Sequence, residues 1–229
     1  MVQASDWQTI LQGGLVVSCQ APATSPLHQP SVIAAMAEAA VLQGAVGVRI
    51  DSPAHIEAVR PRISAPIIGL WKQQMPNCDV YITPQIVHAN AIAQAGADVI
   101  AIDATTRPRP EGETVVSLID HIHNQLHKPV MADVDTLEAA IAAVEAGADC
   151  VGTTLYGYTA ETQHLKPPGF ELLKDLVQHL SVPIICEGGI ASPQMARQSL
   201  ELGATCVVVG TAITGIDLLV QAYCKTLLS

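Results

Sequence analysis

Four stretches of this chain are built to one plan. "LQGAVGVRID" (42–51), "QAGADVIAID" (94–103), "EAGADCVGTT" (145–154) and "ELGATCVVVG" (201–210) each read as the end of a helix, a glycine followed by alanine, and a short apolar run. Glycine suits the left-handed turn that closes a helix, and an unbroken Val/Ile run suits a parallel strand covered on both faces. Gly44, Gly96, Gly147 and Gly203 are 52, 51 and 56 residues apart, too far for one βα unit and right for two. A second set of runs fills the gaps: "GGLVVSC" (13–19), "APIIGLW" (65–71), "KPVMAD" (128–133) and "VPIICE" (182–187). Three of these open on a proline, which the first residue of a strand tolerates. A solenoid also repeats at a fixed period, but eight strand–helix units in 229 residues predict an α/β fold of the closed (β/α)8 TIM barrel type. The expected organisation is a single catalytic domain over residues 1–229.

Composition narrows the partners. With 49% hydrophobic residues there is material for a large core. A net charge of −10 and a pI near 5.1 speak against nucleic acid or an anionic membrane surface, so an anionic substrate has to be held by local groups. No run of about 18 apolar residues predicts a membrane span, and "MVQASDWQTILQGG" lacks the basic-then-apolar pattern of a leader. Six cysteines occur without C-x-x-C pairing, and Cys150, Cys186 and Cys206 fall in apolar runs. They read as reduced core residues, and the expected compartment is the cytoplasm.

Chemistry in such barrels gathers at the C-terminal ends of the strands. Read in order, those ends give Gln20, Arg49, Lys72, Asp103, Asp133, Thr153, Glu187 and the Gly210-Thr211 pair. One polar residue after a strand is an anchor or a cap; a full ring of them predicts a ligand-binding mouth. Lys72 and Glu187 end the third and seventh strands, on opposite sides of an eight-membered ring, and are expected to face each other across a small ligand. The alternative is a plain buried ion pair. "EGGIAS" (187–192) and "VGTAIT" (209–214) offer closely approachable amides after strands seven and eight, where this fold holds phosphate. Gly188, Gly189, Gly210 and Thr211 are therefore the expected phosphate cradle. Trp71, pointing opposite to Lys72, is expected among the helices. "HIHNQLHK" (121–128) precedes the fifth strand and belongs to the bottom face, so a metal centre is not expected there; "RPRPEGET" (107–114) reads as a rigid loop beside the site. No zinc-protease, Rossmann or Walker pattern occurs.

"GGLVVSCQA" (13–21), "GAVGVR" (44–49), "PIIGLWK" (66–72), "YITP" (81–84), "AIDATTRPRP" (101–110), "MADVDTLEA" (131–139), "VGTTLYGYT" (151–159), "CEGGIASP" (186–193) and "VVVGTAIT" (207–214) follow one another in order. Together they closely resemble the N-acetylmannosamine-6-phosphate 2-epimerase family over about residues 11–220. The resemblance implies interconversion of N-acetylmannosamine 6-phosphate and N-acetylglucosamine 6-phosphate in sialic acid breakdown, without a metal or nucleotide cofactor. It implies Lys72 and Glu187 as the catalytic pair, Gln20, Arg49, Asp133 and Thr153 as sugar contacts, and the Gly188-Gly189 and Gly210-Thr211 amides at the phosphate. Such a family usually carries arginine after "AIT"; here Gly215 stands there, so phosphate binding is expected to rest on amides, and an arginine installed at 215 to tighten it.

The chemistry agrees. Inverting carbon 2 of an open-chain aldose removes a proton beside the carbonyl and returns one from the other face, which takes a base and an acid near neutral pKa. A lysine base needs burial or a cationic neighbour. Arg49, one strand away, is placed to supply the charge, and ionised Glu187 to oppose it. A Schiff-base sugar-phosphate lyase using Lys72, which borohydride would trap, and a non-catalytic sugar-phosphate-binding barrel are the alternatives. The apolar C-terminal helix, Leu218 to Leu228 with Tyr223, is the expected contact surface of a homodimer.

Overall fold

The computed structural model describes residues 6–228. Residues 1–5 and 229, which the single-domain expectation takes in, lie outside the described residues. Eight parallel strands close into a barrel in chain order: β1 (Leu15–Cys19), β2 (Gly47–Asp51), β3 (Ile67–Leu70), β4 (Val99–Asp103), β5 (Val130–Asp133), β6 (Cys150–Gly152), β7 (Ile184–Glu187) and β8 (Cys206–Val209). The ring closes through β1 and β8, with Leu15 beside Val207 and Val17 beside Val209. The helices are α1 (Asp6–Leu11), α2 (Pro30–Leu42), α3 (Pro53–Val59), α4 (Ile86–Ala95), α5 (Val115–His121), α6 (Leu137–Glu145), α7 (Phe170–His179), α8 (Pro193–Glu201), α9 (Thr211–Thr214) and α10 (Ile216–Leu227).

The repeat is structural. Gly44, Gly96, Gly147 and Gly203 sit at φ of 97°, 103°, 105° and 101°, a conformation glycine adopts at little cost. After the last three of them, the residue two places on seals the barrel floor. Asp98 Oδ2 accepts from the Ile67 amide at 2.9 Å and Asp149 Oδ2 from the Val130 amide at 2.7 Å, while Thr205 Oγ1 accepts from the Ile184 amide at 3.3 Å. Each prolyl residue lies just ahead of its strand, where no donor is missed, and its carbonyl still accepts: Pro66 from Val48, Pro129 from Ile100, Pro183 from Val151.

Period-2 alternation splits the strands between two cores. Val48, Ile50, Ile100, Ile102, Val130, Ala132, Val151, Ile184 and Cys186 pack outward against helices, whose small buried residues (Ala34, Ala37, Ala139, Ala140, Ala143) let them sit close. Val16, Ile68, Leu70, Val99, Met131, Cys150, Ile185 and Val208 fill the barrel, with Trp7 and Leu11 of α1 beneath. The same parity that sends these inward sends the next residues up each strand toward the mouth.

One helix does not follow the pattern. None of the residues of α10 is buried; Leu218 is 50% exposed, Tyr223 72% and Leu227 83%. Where the eighth helix would cover β1 and α2 there is instead an apolar cavity of about 450 Å³, bordered by Leu15, Val17, Met36, Ala40, Ile213 and Ile216. A Ser25–Asp217 hydrogen bond of 2.9 Å ties the start of α10 to the loop after β1.

Candidate active site

Arg49, Asp133 and Glu187 occupy the inward parity of β2, β5 and β7 and meet at the mouth. Arg49 is 1% exposed and Asp133 fully buried. The guanidinium grips Asp133 through both nitrogens, Nη1 to Oδ1 at 3.1 Å and Nη2 to Oδ2 at 2.5 Å. Its Nη1 also lies 3.0 Å from Glu187 Oε2. A buried charge survives only when paired and hydrogen-bonded, and here one cation serves two carboxylates. Burial alone would lower the proton affinity of Arg49; the charges of Asp133 and Glu187 outweigh it and hold the guanidinium above its ordinary value. Glu187, 13% exposed, answers in the other direction. Burial pushes its carboxyl up to about 7, Arg49 pulls it back, Asp133 adds to the rise, and Thr154 and Lys72 oppose it. A carboxyl balanced near neutrality is what proton transfer at pH 7 requires.

Lys72 stands on the far side. It is exposed, not buried as a desolvated lysine base would be, and Arg49 is already committed to two carboxylates. The ion pair weighed between Lys72 and Glu187 is not what forms, because Arg49 takes that place. Lys72 Nζ instead donates to Gln20 Oε1, and Gln20 Nε2 donates to Ser18 Oγ at 2.8 Å. Its backbone is pinned by Asp51, whose Oδ1 accepts from the Lys72 amide at 2.9 Å, and by an antiparallel bridge to Ile82 that folds residues 72–82 over the mouth. Burial raises the Asp51 carboxyl and the Lys72 charge pulls it back. Asp51 was not singled out in the sequence, although it lies two residues beyond Arg49 and shares its inward parity.

Thr153, expected to contact the sugar, faces the backbone of β7, and its neighbour Thr154 enters the charged cluster. The Thr153 hydroxyl donates to the Glu187 carbonyl at 2.8 Å and accepts from the Glu187 amide at 3.0 Å, so it staples β6 to β7. Thr154 carries the hydroxyl that reaches the charged cluster, 2.6 Å from Asp133 Oδ1 and 3.2 Å from Glu187 Oε2. Asp103, the remaining carboxylate of the ring, is bridged by Arg107 at 2.6 Å. Arg107 also bonds the Asp79 carbonyl at 2.9 Å and Arg109 the Pro84 carbonyl at 2.9 Å, so this loop braces the side of the site.

Gly188 and Gly189 follow Glu187 directly, at φ of 97° and 70°. A Cβ on Gly189 would lie 2.5 Å from Pro167 Cβ, so the position has no room for a side chain. Among the described residues no protein group accepts from the amides of these two glycines, and the first amides of α9, after Gly210, are orphans by helix geometry. Gly215 differs from its expectation. A Cβ there would meet the Thr211 Cα, Cγ2 and carbonyl oxygen at 2.8 Å each. An arginine at 215 therefore cannot be added without moving α9, the segment it was meant to assist.

The histidine run lies at the floor: His123 Nε2 is 2.8 Å from Asp149 Oδ2 and His121 Nε2 2.7 Å from Asn90 Oδ1. Among the described residues no group of three His, Cys, Asp or Glu side chains is placed to hold a metal ion. Trp71 packs edge-on against His88 of α4, ring centroids 5.3 Å apart. All six cysteines are unpaired, and no described helix is long and apolar enough to cross a membrane.

Residues 33–229 match the family described as "Putative N-acetylmannosamine-6-phosphate epimerase". A protein of Thermosynechococcus vestitus named "Putative N-acetylmannosamine-6-phosphate 2-epimerase" is 64% identical over 219 residues, 96% of this chain and 95% of the relative. One of the same name from Synechococcus elongatus is 63% identical over 219 residues, 95% of this chain and 94% of the relative. The N-acetylmannosamine-6-phosphate 2-epimerase from Clostridium perfringens shares the fold at a TM-score of 0.92 and 37% identity, over 96% of this chain and 95% of that one.

Proposed function

The chain belongs to the N-acetylmannosamine-6-phosphate epimerase family, and from that premise we propose how its barrel mouth performs the reaction. It is an isomerase that interconverts N-acetylmannosamine 6-phosphate and N-acetylglucosamine 6-phosphate by taking a proton from carbon 2 and returning one to the opposite face. Lys72 and Glu187 handle the two protons, one on each side of the open-chain sugar, which on binding covers the exposed Lys72 ammonium and supplies the burial a lysine base needs. The electron pair left at carbon 2 is delocalised into the neighbouring carbonyl, and reprotonation from the other side inverts the centre. The observation that carries this reading is the state of Glu187. Arg49 and Thr154 occupy its Oε2, no described group donates to its Oε1, and its proton affinity sits near neutrality. Gln20 holds Lys72 on the facing side, and Arg49, Asp133 and the threonines keep the Glu187 carboxyl in place. The whole chain acts as one catalytic domain, and its six unpaired cysteines suit the reducing cytoplasm.

The 6-phosphate rests on the amides of Gly188, Gly189 and Thr211. Charge-assisted bonds to amides that have no other partner contribute the discrimination, so N-acetylmannosamine is expected to bind roughly 100-fold more weakly than its 6-phosphate. Calorimetry with both sugars measures this, and equal affinities would show the phosphate site to be misplaced. Gly215→Arg is expected to weaken binding of the phosphorylated sugar rather than tighten it.

The enzyme works as a homodimer in which α10 of each copy covers the apolar cavity of the other. Support comes from two surfaces on one chain that fit each other's description. One is a helix with no buried residue, on which Ile216, Leu218, Val220, Tyr223 and Leu227 are exposed; the other is an uncovered apolar cavity where the barrel lacks its eighth helix. A two-fold exchange buries both at once. Light scattering at micromolar concentration is expected to give the dimer mass, and the chain ending at Gly215 the monomer mass. A monomeric full-length chain would contradict the arrangement.

A further inference from the structure

The end of β6 holds two adjacent threonines, and only Thr154 points the way that the barrel-filling Cys150 points, two steps of alternation up the strand. Its hydroxyl lies 2.6 Å from Asp133 Oδ1 and 3.2 Å from Glu187 Oε2. The space for this contact is left by Gly152, where a Cβ would come within 3.0 Å of Thr154 Oγ1, 3.2 Å of Asp133 Oδ1 and 2.4 Å of Met131 Cε. We propose that Thr154 is a positioning residue of the epimerase, its hydroxyl orienting the Glu187 carboxyl against Asp133 and partnering Glu187 Oε2 in both protonation states of that group. The inference rests on Glu187 being a proton-handling group, as read above.

A hydroxyl brings one donor and two acceptor sites, and this position needs both. With Glu187 ionised, Arg49 Nη1 lies against both carboxylates and the Thr154 O–H donates to one of them. With Glu187 protonated, a proton that arrives on Oε1 from the sugar leaves Oε2 as the acceptor of the Arg49 and Thr154 donors; when the carboxyl instead holds its proton on Oε2, that proton donates to Thr154 Oγ1 while the Thr154 proton donates to Asp133 Oδ1. In neither state do two carboxylate lone pairs meet without a proton between them, and in both Oε1 is kept clear for the sugar. A methyl group in place of the hydroxyl can do neither job. The groups bearing on Glu187 come from every side: Arg49 from β2, Lys72 from beyond β3 and Asp133 from β5, Tyr158 from the loop after β6, Cys206 from β8 and Cys186 from its own strand. The Thr154 bond favours the ionised carboxyl, so losing it raises the proton affinity of Glu187. The pH midpoint that reports Glu187 then moves up, whether the step observed needs its acid or its base form.

The test is the pH dependence of kcat and KM for wild type, Thr154→Val, Thr154→Ala, Thr154→Ser and Glu187→Gln. The valine and alanine variants are expected to lose roughly 10- to 100-fold in kcat with KM changed by less than about threefold, the signature of a group that matters to the chemical step. Their Glu187-dependent midpoint is expected to rise by about half a pH unit or more, and serine is expected to restore both. Alanine carries the test if valine does not fold. A rate loss with an unmoved midpoint, or serine as damaging as valine, would mean that the threonine only packs, and would overturn the proposal while leaving Glu187 in its role. An active Glu187→Gln enzyme would remove the premise and the proposal together.

Discussion

Glu187→Gln is expected to fold, bind the sugar phosphate and epimerise about 10²- to 10⁴-fold more slowly than wild type, the range that a positioned acid or base contributes. Lys72→Ala is expected to lose activity to a similar or greater extent, because the group proposed to act on its side of carbon 2 is removed. The glutamine keeps the shape of the carboxyl and removes only its titration. Stability moves independently of rate. The folded-state pKa of Glu187, about 7, lies above its ordinary value, so between the two the folded chain binds the proton more tightly than the unfolded one. Stability is then lost as pH rises through that window. The variant lacks this loss, so compared with wild type it gains stability from pH 5 to pH 8 even though it is nearly inactive. Activity assays and thermal melts at both pH values check the pair of effects. A plain structural ion pair predicts the reverse, a weakened fold that still turns over.

The second large effect belongs to Arg49. Arg49→Met leaves Asp133 and Glu187 buried beside each other with no cation between them. Breaking a buried pair by removing one partner costs about 3–5 kcal/mol, which for a chain of this size lowers the melting temperature by roughly 6–20 °C. The loss is expected to be largest near pH 8 and to shrink toward pH 5.5, because Glu187, whose carboxyl burial holds up near 7, then takes up a proton and ends the repulsion. Melting wild type and variant at one fixed protein concentration, since the proposed dimer would contribute, measures it. Equal melting temperatures at pH 8 would show that the guanidinium is not what holds the two carboxylates.

Much of the barrel could be read from the chain because its punctuation is chemical. The four helix-closing glycines need a left-handed backbone, and the runs after them can only be strands covered on both faces. The mouth was legible for the same reason. Gln20, Arg49, Lys72, Asp103, Asp133, Glu187 and Gly210 all share the inward parity of their strands. β6 is where reading by strand end goes astray. Cys150 and Gly152 fix the parity, so the inward residue is Thr154, and Thr153 turns to the Glu187 backbone. Counting from Cys150 rather than from the end of the apolar run would have found it. Pairing was harder to see. Lys72 and Glu187 are opposite each other in the ring, but Arg49 and Asp133 lie inward as well, and a guanidinium with two forks reaches Glu187 first. The obstacle at Gly215 comes from the tight turn between α9 and α10, which no motif states. The unburied α10 is apolar in the sequence, as a covering helix would be, and only the closed barrel shows that the surface it should cover is left open.

The central claim is that carbon 2 gives up its proton and receives another. It is tested most directly by running the wild-type enzyme on N-acetylmannosamine 6-phosphate in heavy water and examining carbon 2 of the N-acetylglucosamine 6-phosphate formed. Deuterium at carbon 2 is the expected result, with neither exchange nor product from Lys72→Ala over the same time. Product that keeps its original hydrogen at carbon 2, together with 2-deuterated sugar turning over as fast as the ordinary sugar, would contradict the account.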